Sequence, residues 1–218
     1  MTGSKRAQPI PTGLLTIVVV LMIVVTGLGG AIVFLQLRPD PVPETMTALE
    51  ITSWRDTVDK NPGAAWALAG LGNALLRNGE AEEARQTLER ALEIDPNQWS
   101  ALLDLAVMVR REDQNRATEM LTRSAEYAPR ENKALPFIAL GDLLLEMDRP
   151  TEAQEAFQEA IADNRFVSDA HFGLGRALEA QGEIDSAIAA YEQASAFNPT
   201  NTDIRDALAR LGAAATTP

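Results

Sequence analysis

The chain has 218 residues, 46% hydrophobic and only 5% aromatic, with a formal charge of −12, a size that allows one moderate domain plus additional segments. All but two of the 19 bases lie from Arg38 onward, together with all 31 acids; a body this acidic repels phosphate backbones, which argues against a nucleic-acid partner. The chain has no cysteine, which excludes disulfides, thiolate metal sites and covalent haem attachment.

Leu14 to Leu37 reads LLTIVVVLMIVVTGLGGAIVFLQL, without a charged residue. At about 1.5 Å per residue this run reaches about 36 Å, enough to cross a hydrocarbon core about 30 Å thick. It predicts a transmembrane helix over 14–37, in contact with membrane lipid, behind a short tail over 1–13. The rival reading is a cleaved signal peptide, with Lys5 and Arg6 as its basic region and Gly27 and Gly29 as the small residues before the cut. Against it, Ala31–Leu35 is strongly apolar again, and a mature soluble N-terminus would expose that stretch. Lys5 and Arg6 on one side, against Arg38 alone close by on the other, place the tail in the cytoplasm. The rest of the chain is then outside it, at the plasma or inner membrane. Gly27 and Ala31, four apart, offer a face on which two such helices can approach, a route to a homodimer. Pro39, Pro41 and Pro43 then forbid helix and predict an extended spacer over 38–43.

From Thr45 the pattern turns amphipathic. Met46, Leu49, Trp54 and Val58 predict a flanking helix within 44–62, stopped at Asn61-Pro62. Four similar segments follow over 65–201. In the first, Leu71-Gly72-Asn73-Ala74-Leu75-Leu76 leads to a turn at Gly79, then Ala84, Leu88 and Ala91, and a stop at Pro96. In the last, Gly175, Gly182, Ala187, Tyr191, Ala194 and Pro199 hold the same places. The third keeps Gly141, Ala153, Phe157 and Ala160, with Asp148 at the turn and Arg165 where the others have proline. The second is the most divergent, with Ala106, Asp113, Ala117, Leu121 and Pro129, and a turn one residue shorter. The steps from Gly72 to Ala106, Gly141 and Gly175 are 34, 35 and 34 residues. Each segment is a pair of short helices whose apolar face only a neighbour can cover. Ile204, Leu208 and Leu211 predict a capping helix over 202–211, followed by a tail over 212–218.

These segments resemble tetratricopeptide repeats. The family pattern has a small residue where the two helices cross, a glycine at the turn, then alanine, a large apolar residue, alanine and proline. The resemblance implies an all-α superhelix of about four helical hairpins with flanking helices, set behind one N-terminal transmembrane helix. It also implies a concave groove lined by the first helix of each pair. The groove positions are then Trp66, Ala69, Asn73, Leu76 and Arg77 in the first repeat, Leu103, Val107, Arg110 and Arg111 in the second, Leu135, Ile138, Asp142 and Leu145 in the third, and Phe172, Arg176 and Glu179 in the fourth. The family's chaperone-binding members grip a C-terminal carboxylate with Lys, Asn and Arg side chains. Only Asn73 matches that set, and Ala69 stands where the lysine would be, so that ligand is disfavoured.

Residues with catalytic chemistry are scarce. His171 is the only histidine and falls at a packing position of the fourth repeat. Gly70-Leu71-Gly72 and Gly173-Leu174-Gly175 lie inside helices with no strand before them, unlike a phosphate loop. Acid pairs such as Glu82-Glu83 sit on an outer helix face. No nucleophile pairs with a base, so the expectation is a non-enzyme with no cofactor, no metal and no small-molecule substrate. The expected function is a membrane-anchored scaffold that binds a protein or peptide partner in the groove. Its apolar residues would supply anchors, and its arginines would select acidic groups on the partner. Two alternatives remain open: an assembly factor similar to the repeat-bearing subunits of bacterial cytochrome c maturation, and an accessory subunit of a larger membrane complex.

Overall fold

The computed structural model describes residues 46–164 and 167–215. The expected membrane helix at 14–37, the tail before it, the spacer over 38–43, Arg165 and residues 216–218 lie outside the described residues. Among those described, no helix is long and apolar enough to cross a membrane. Within the same residues ten α-helices follow one another with no strand: α1 Met46–Lys60, α2 Ala65–Arg77, α3 Ala81–Ile94, α4 Trp99–Val109, α5 Gln114–Tyr127, α6 Ala134–Glu146, α7 Pro150–Asp163, α8 Ser168–Ala180, α9 Ile184–Phe197 and α10 Thr202–Ala215. A short 3-10 turn, Arg130–Asn132, precedes α6. The all-α superhelix is as expected. The capping helix runs on to Ala215, beyond the expected end at Leu211.

The second helix of each hairpin places its marker residues on one face, because positions i, i+4 and i+7 fall within one apolar stripe. Ala84, Leu88 and Ala91 on α3, Ala153, Phe157 and Ala160 on α7, and Ala187, Tyr191 and Ala194 on α9 are all buried. Fully burying a side chain the size of Leu or Phe contributes about 1.5–3 kcal/mol. The large residue of each set lies against the backbone of the preceding helix. A Cβ added to Gly72 would lie 2.5 Å from the Leu88 side chain, and at Gly141 2.6 Å from the Phe157 ring. At Gly175 it would lie 2.5 Å from the Tyr191 ring, which is itself pinned by a hydroxyl that donates to Glu179 at 2.9 Å.

The core is shared between hairpins. Leu88 and Ala91 of α3 pack with Leu102 and Leu105 of α4 and Leu121 of α5, so each hairpin completes its neighbour's interior. Both ends are covered. Ile51 of α1 packs with Leu71, Leu75 and Ala84, the place a preceding repeat would fill. Ala207 and Leu211 of α10 pack with Leu178 and Tyr191.

Three of the four hairpin turns share one conformation. The Glu80 amide donates to the Leu75 carbonyl and the Gly79 amide to Leu76, the double bond of a Schellman ending with its left-handed residue at Gly79, φ +85°. Gly182, φ +81°, repeats it. In the third repeat Asp148 takes the same role at φ +56°, with Arg149 donating to Leu144 and Asp148 to Leu145. The shorter second turn is closed differently: Glu112 and Asp113 both donate to Val109, and the Asp113 carboxylate accepts from the Arg116 amide, capping α5.

This geometry sets the sign of two substitutions. Gly175→Ala should cost about 1–3 kcal/mol, because the added methyl meets a ring that cannot retreat; chemical denaturation of the variant measures it, and an unchanged midpoint would contradict the crossing described. Asp148→Gly should stabilise by about 1 kcal/mol, by removing the cost of a left-handed side-chain-bearing residue, and the same denaturation curve reads it.

Candidate protein-binding groove

The first helices of the hairpins pack on one another in series, α2 on α4, α4 on α6 and α6 on α8, as well as on their own partners. Their free faces form the inner surface. Polar bridges tie each of these helices to the next. The Asn73 amide donates to both oxygens of Asp104 at 3.0 and 3.2 Å, joining α2 to α4. Arg110 lies 3.4 Å from Glu146, joining α4 to α6. Arg176 pairs with Asp142 at 2.8 Å, joining α8 to α6. Arg210 of α10 pairs with Glu179 of α8, and Arg77 of α2 with Glu50 of α1. Pairs this exposed add little stability, but they fix the side chains that line the face.

The groove arginines are therefore bound by carboxylates of the same chain. Arg77, Arg110 and Arg176, expected from sequence to face a partner, each pair with an acid of a neighbouring helix. Asp104, Asp142 and Glu179 are shifted from the ordinary carboxylate range. Burial pushes Asp104 above the usual carboxylate range, against the Asn73 hydrogen bond and the nearby Arg77 charge. Burial also raises Asp142, against the attraction of Arg176. Glu179 is instead held low, first by the hydrogen bonds from Arg210.

The apolar positions divide in two. Val107 is 47% exposed and Trp66 55%, and Leu103 is half-buried against the core. Ile138 and Phe172 are engaged inside the chain. Ile138 packs against the cluster of Leu144, Phe157 and Ala177, and the Phe172 ring stacks at 5.5 Å on Tyr191. Ile138→Asp would thus disturb the fold, and Val107 is the cleaner probe of the surface. His171 lies with its ring 5.5 Å from Phe197, in packing contact.

Two depressions open on the inner face. Toward α10, a cleft of about 680 Å³ is lined by Phe172, Arg176, Glu179, Tyr191 and Arg210 among others. Toward α1, a smaller one of about 280 Å³ brings Asn73 and Leu103 together with Trp54, Trp99, Asp104 and Leu135. Of these, Trp54, Trp99 and Asp104 are absent from the set expected from sequence. The one signal for them in the sequence is the placement of all three tryptophans within residues 54–99.

Models of the tetratricopeptide repeat match residues 55–106 and 138–202. The chain carries tetratricopeptide repeats. The stretch between the two matches holds the divergent second repeat, which has the same hairpin form in the structure. Several solved tetratricopeptide-repeat structures are similar. YrrB, a TPR protein with an unusual peptide-binding site, superposes with a TM-score of 0.61 at 20% identity over 76% of this chain and 84% of its own. MamA superposes with a TM-score of 0.58 at 26% identity over 68% and 80%. The Pseudomonas aeruginosa protein pilF gives 0.64 at 20% identity over 77% and 82%. No curated protein matches the sequence.

The raised carboxyl of Asp104 carries a prediction for the tetratricopeptide domain. An acid whose folded pKa lies above its unfolded value opposes folding when ionised, and that opposition fades as pH falls through the folded pKa. Asp104→Asn should therefore melt no lower than wild type at neutral pH and should lose this component of the pH dependence. Thermal melts of both proteins between pH 7 and pH 4 check it, and a clear drop in the variant's neutral melting temperature would contradict it.

Proposed function

We propose that the protein is a membrane-anchored scaffold whose tetratricopeptide domain holds a segment of a protein partner on its inner face. One observation carries the binding reading. Val107, Trp66 and Leu135 are half-exposed apolar side chains on a surface whose polar residues are already paired across helices. Such a surface offers apolar anchors without demanding that the partner supply counter-charges at every step, and apolar anchors supply most of the affinity of a bound segment. The groove residues expected from sequence, Trp66, Asn73, Arg77, Leu103, Val107, Arg110, Ile138, Phe172 and Arg176, divide by role. Trp66, Leu103, Val107 and Phe172 offer apolar contact, the polar ones shape the face, and Ile138 packs on the cluster of Leu144 and Phe157.

The anchor rests on sequence: 24 uncharged residues over 14–37 suffice to span a bilayer. The lysine and arginine balance around them places the repeat domain outside the cytoplasm. In that arrangement the protein concentrates its partner at the membrane surface.

The test is crosslinking in native membranes with wild type and variants, circular dichroism serving as the folding control. Val107→Glu should reduce partner capture about tenfold or more, as for loss of a central contact. Glu89→Arg, on the exposed side of α3, should leave capture unchanged. Equal capture by Val107→Glu and wild type would move the binding surface off the groove. Retention of Met1–Leu37 in the mature protein and resistance to carbonate extraction test the anchor, and an N-terminus at Gly30 or Ala31 would overturn it.

A further inference from the structure

The smaller depression on the inner face, about 280 Å³ between α1, α2, α4 and α6, has a composition unlike the rest of the groove. Trp54 and Trp99 line it. Trp54 is seated on bare backbone, since a Cβ at Gly70 would lie 2.6 Å from its ring. Trp66 meets it edge-on with ring centroids 6.2 Å apart. All three tryptophans of the chain are thus at or beside this one pocket. Its polar end holds Glu50 and Asp104. Glu50 is occupied by Arg77. Asp104 accepts from the neutral Asn73 amide and is in no ion pair among the described residues. Arg77 thus serves two acids here, bridging Glu50 and attracting Asp104 from farther off, which leaves one negative charge over beside the indoles; the larger cleft also has acids outside any bridge, Asp203 and Asp206, but no tryptophan.

We propose that this pocket is a subsite for a basic side chain, arginine or lysine, of the segment the groove binds. The inference rests on the groove reading above and gives the chemistry of one of its contacts. A basic side chain has an apolar stem, suited to Leu103, Leu135 and the indoles, and a cationic head, suited to Asp104 and to the neighbouring aromatic rings. A purely apolar side chain would bury Asp104 further with only the more distant Arg77 to offset its charge, which is costly. An acidic one would be repelled. Burial already holds the Asp104 carboxyl above its ordinary range, and a bound cation would reverse that. The selection is opposite to the one expected from sequence, in which the groove arginines choose an acidic partner.

A random-peptide phage library panned against the full chain tests this, with binding of the recovered peptides followed by tryptophan fluorescence. Every tryptophan lies at or beside the pocket, so the signal is local. Recovered peptides should share an arginine or lysine next to apolar residues. Replacing that residue by norleucine should weaken binding about tenfold or more, the size expected for a lost charged contact. Asp104→Asn should weaken the parent peptide equally and the norleucine peptide hardly at all, a coupling that a merely structural role would not produce. If peptides bind and Val107→Glu abolishes binding, but neither Asp104→Asn nor norleucine matters, the basic subsite is wrong and the groove reading stands. If binding ignores Val107→Glu as well, or no peptide is recovered, both fall together.

Discussion

The structure depends on how closely the two helices of each hairpin approach. At three of the four crossings a large side chain of the second helix lies directly on a glycine of the first: Leu88 on Gly72, Phe157 on Gly141, Tyr191 on Gly175. The second repeat has Ala106 and Leu121 at these places, both buried. A close crossing brings the first helices of successive hairpins near enough to touch. Only then can a side chain such as Arg176 reach Asp142, 34 residues earlier. The lining of the groove is thus a consequence of packing on the opposite side of the same helices, where the large side chains fill interiors that tolerate neither a gap nor an extra methyl.

The same dependence decides which parts are legible in the sequence. Spacing within a hairpin is local, so the positions of Ala84, Leu88 and Ala91 alone assign them to one buried face. The left-handed turn at Gly79 follows from one residue type at one place. Asp148 occupies the equivalent place in the third repeat, and the structure gives it the same backbone conformation without the glycine. The inner face is different. Whether Arg110 projects freely or meets Glu146 depends on the rotation from one hairpin to the next, which no local pattern encodes. Ile138 and Val107 look equally apolar in sequence. One packs on Phe157's cluster and the other stands in solvent, a difference set by neighbours that come from other hairpins.

The acidity of the domain also changes meaning once the bridges are placed. A count of charges suggests isolated arginines in an acidic field. The structure instead spends Glu50, Glu146, Asp142 and Glu179 on holding those arginines. Pairs of this exposure contribute little to stability, so their effect is geometric. They stiffen long side chains that would otherwise sweep the inner surface, and they cancel charge along it. A segment lying there meets fixed side chains between apolar footholds, which lowers the entropy lost by the protein when the segment binds.

Cancellation is uneven, and the unevenness has a direction. From α4 to α10 each bridge pairs one arginine with one acid, and the larger cleft at that end has both signs on its walls. At the α2–α4 step the donor is the neutral amide of Asn73, so Asp104 is partly buried without an ion pair among the described residues, attracted only from farther off by Arg77. An arginine at position 73 would have completed the series and lowered the cost of burying that acid, as Arg176 does for Asp142. The chain keeps the more costly arrangement in the place where its tryptophans gather. The larger cleft is also bordered by Asp203 and Asp206, in no ion pair among the described residues, so what sets the α1 end apart is an acid partly buried beside indole rings rather than a lone charge. Charge at such a site bears on which side chain can enter it, while affinity is left to the apolar contacts between the bridges.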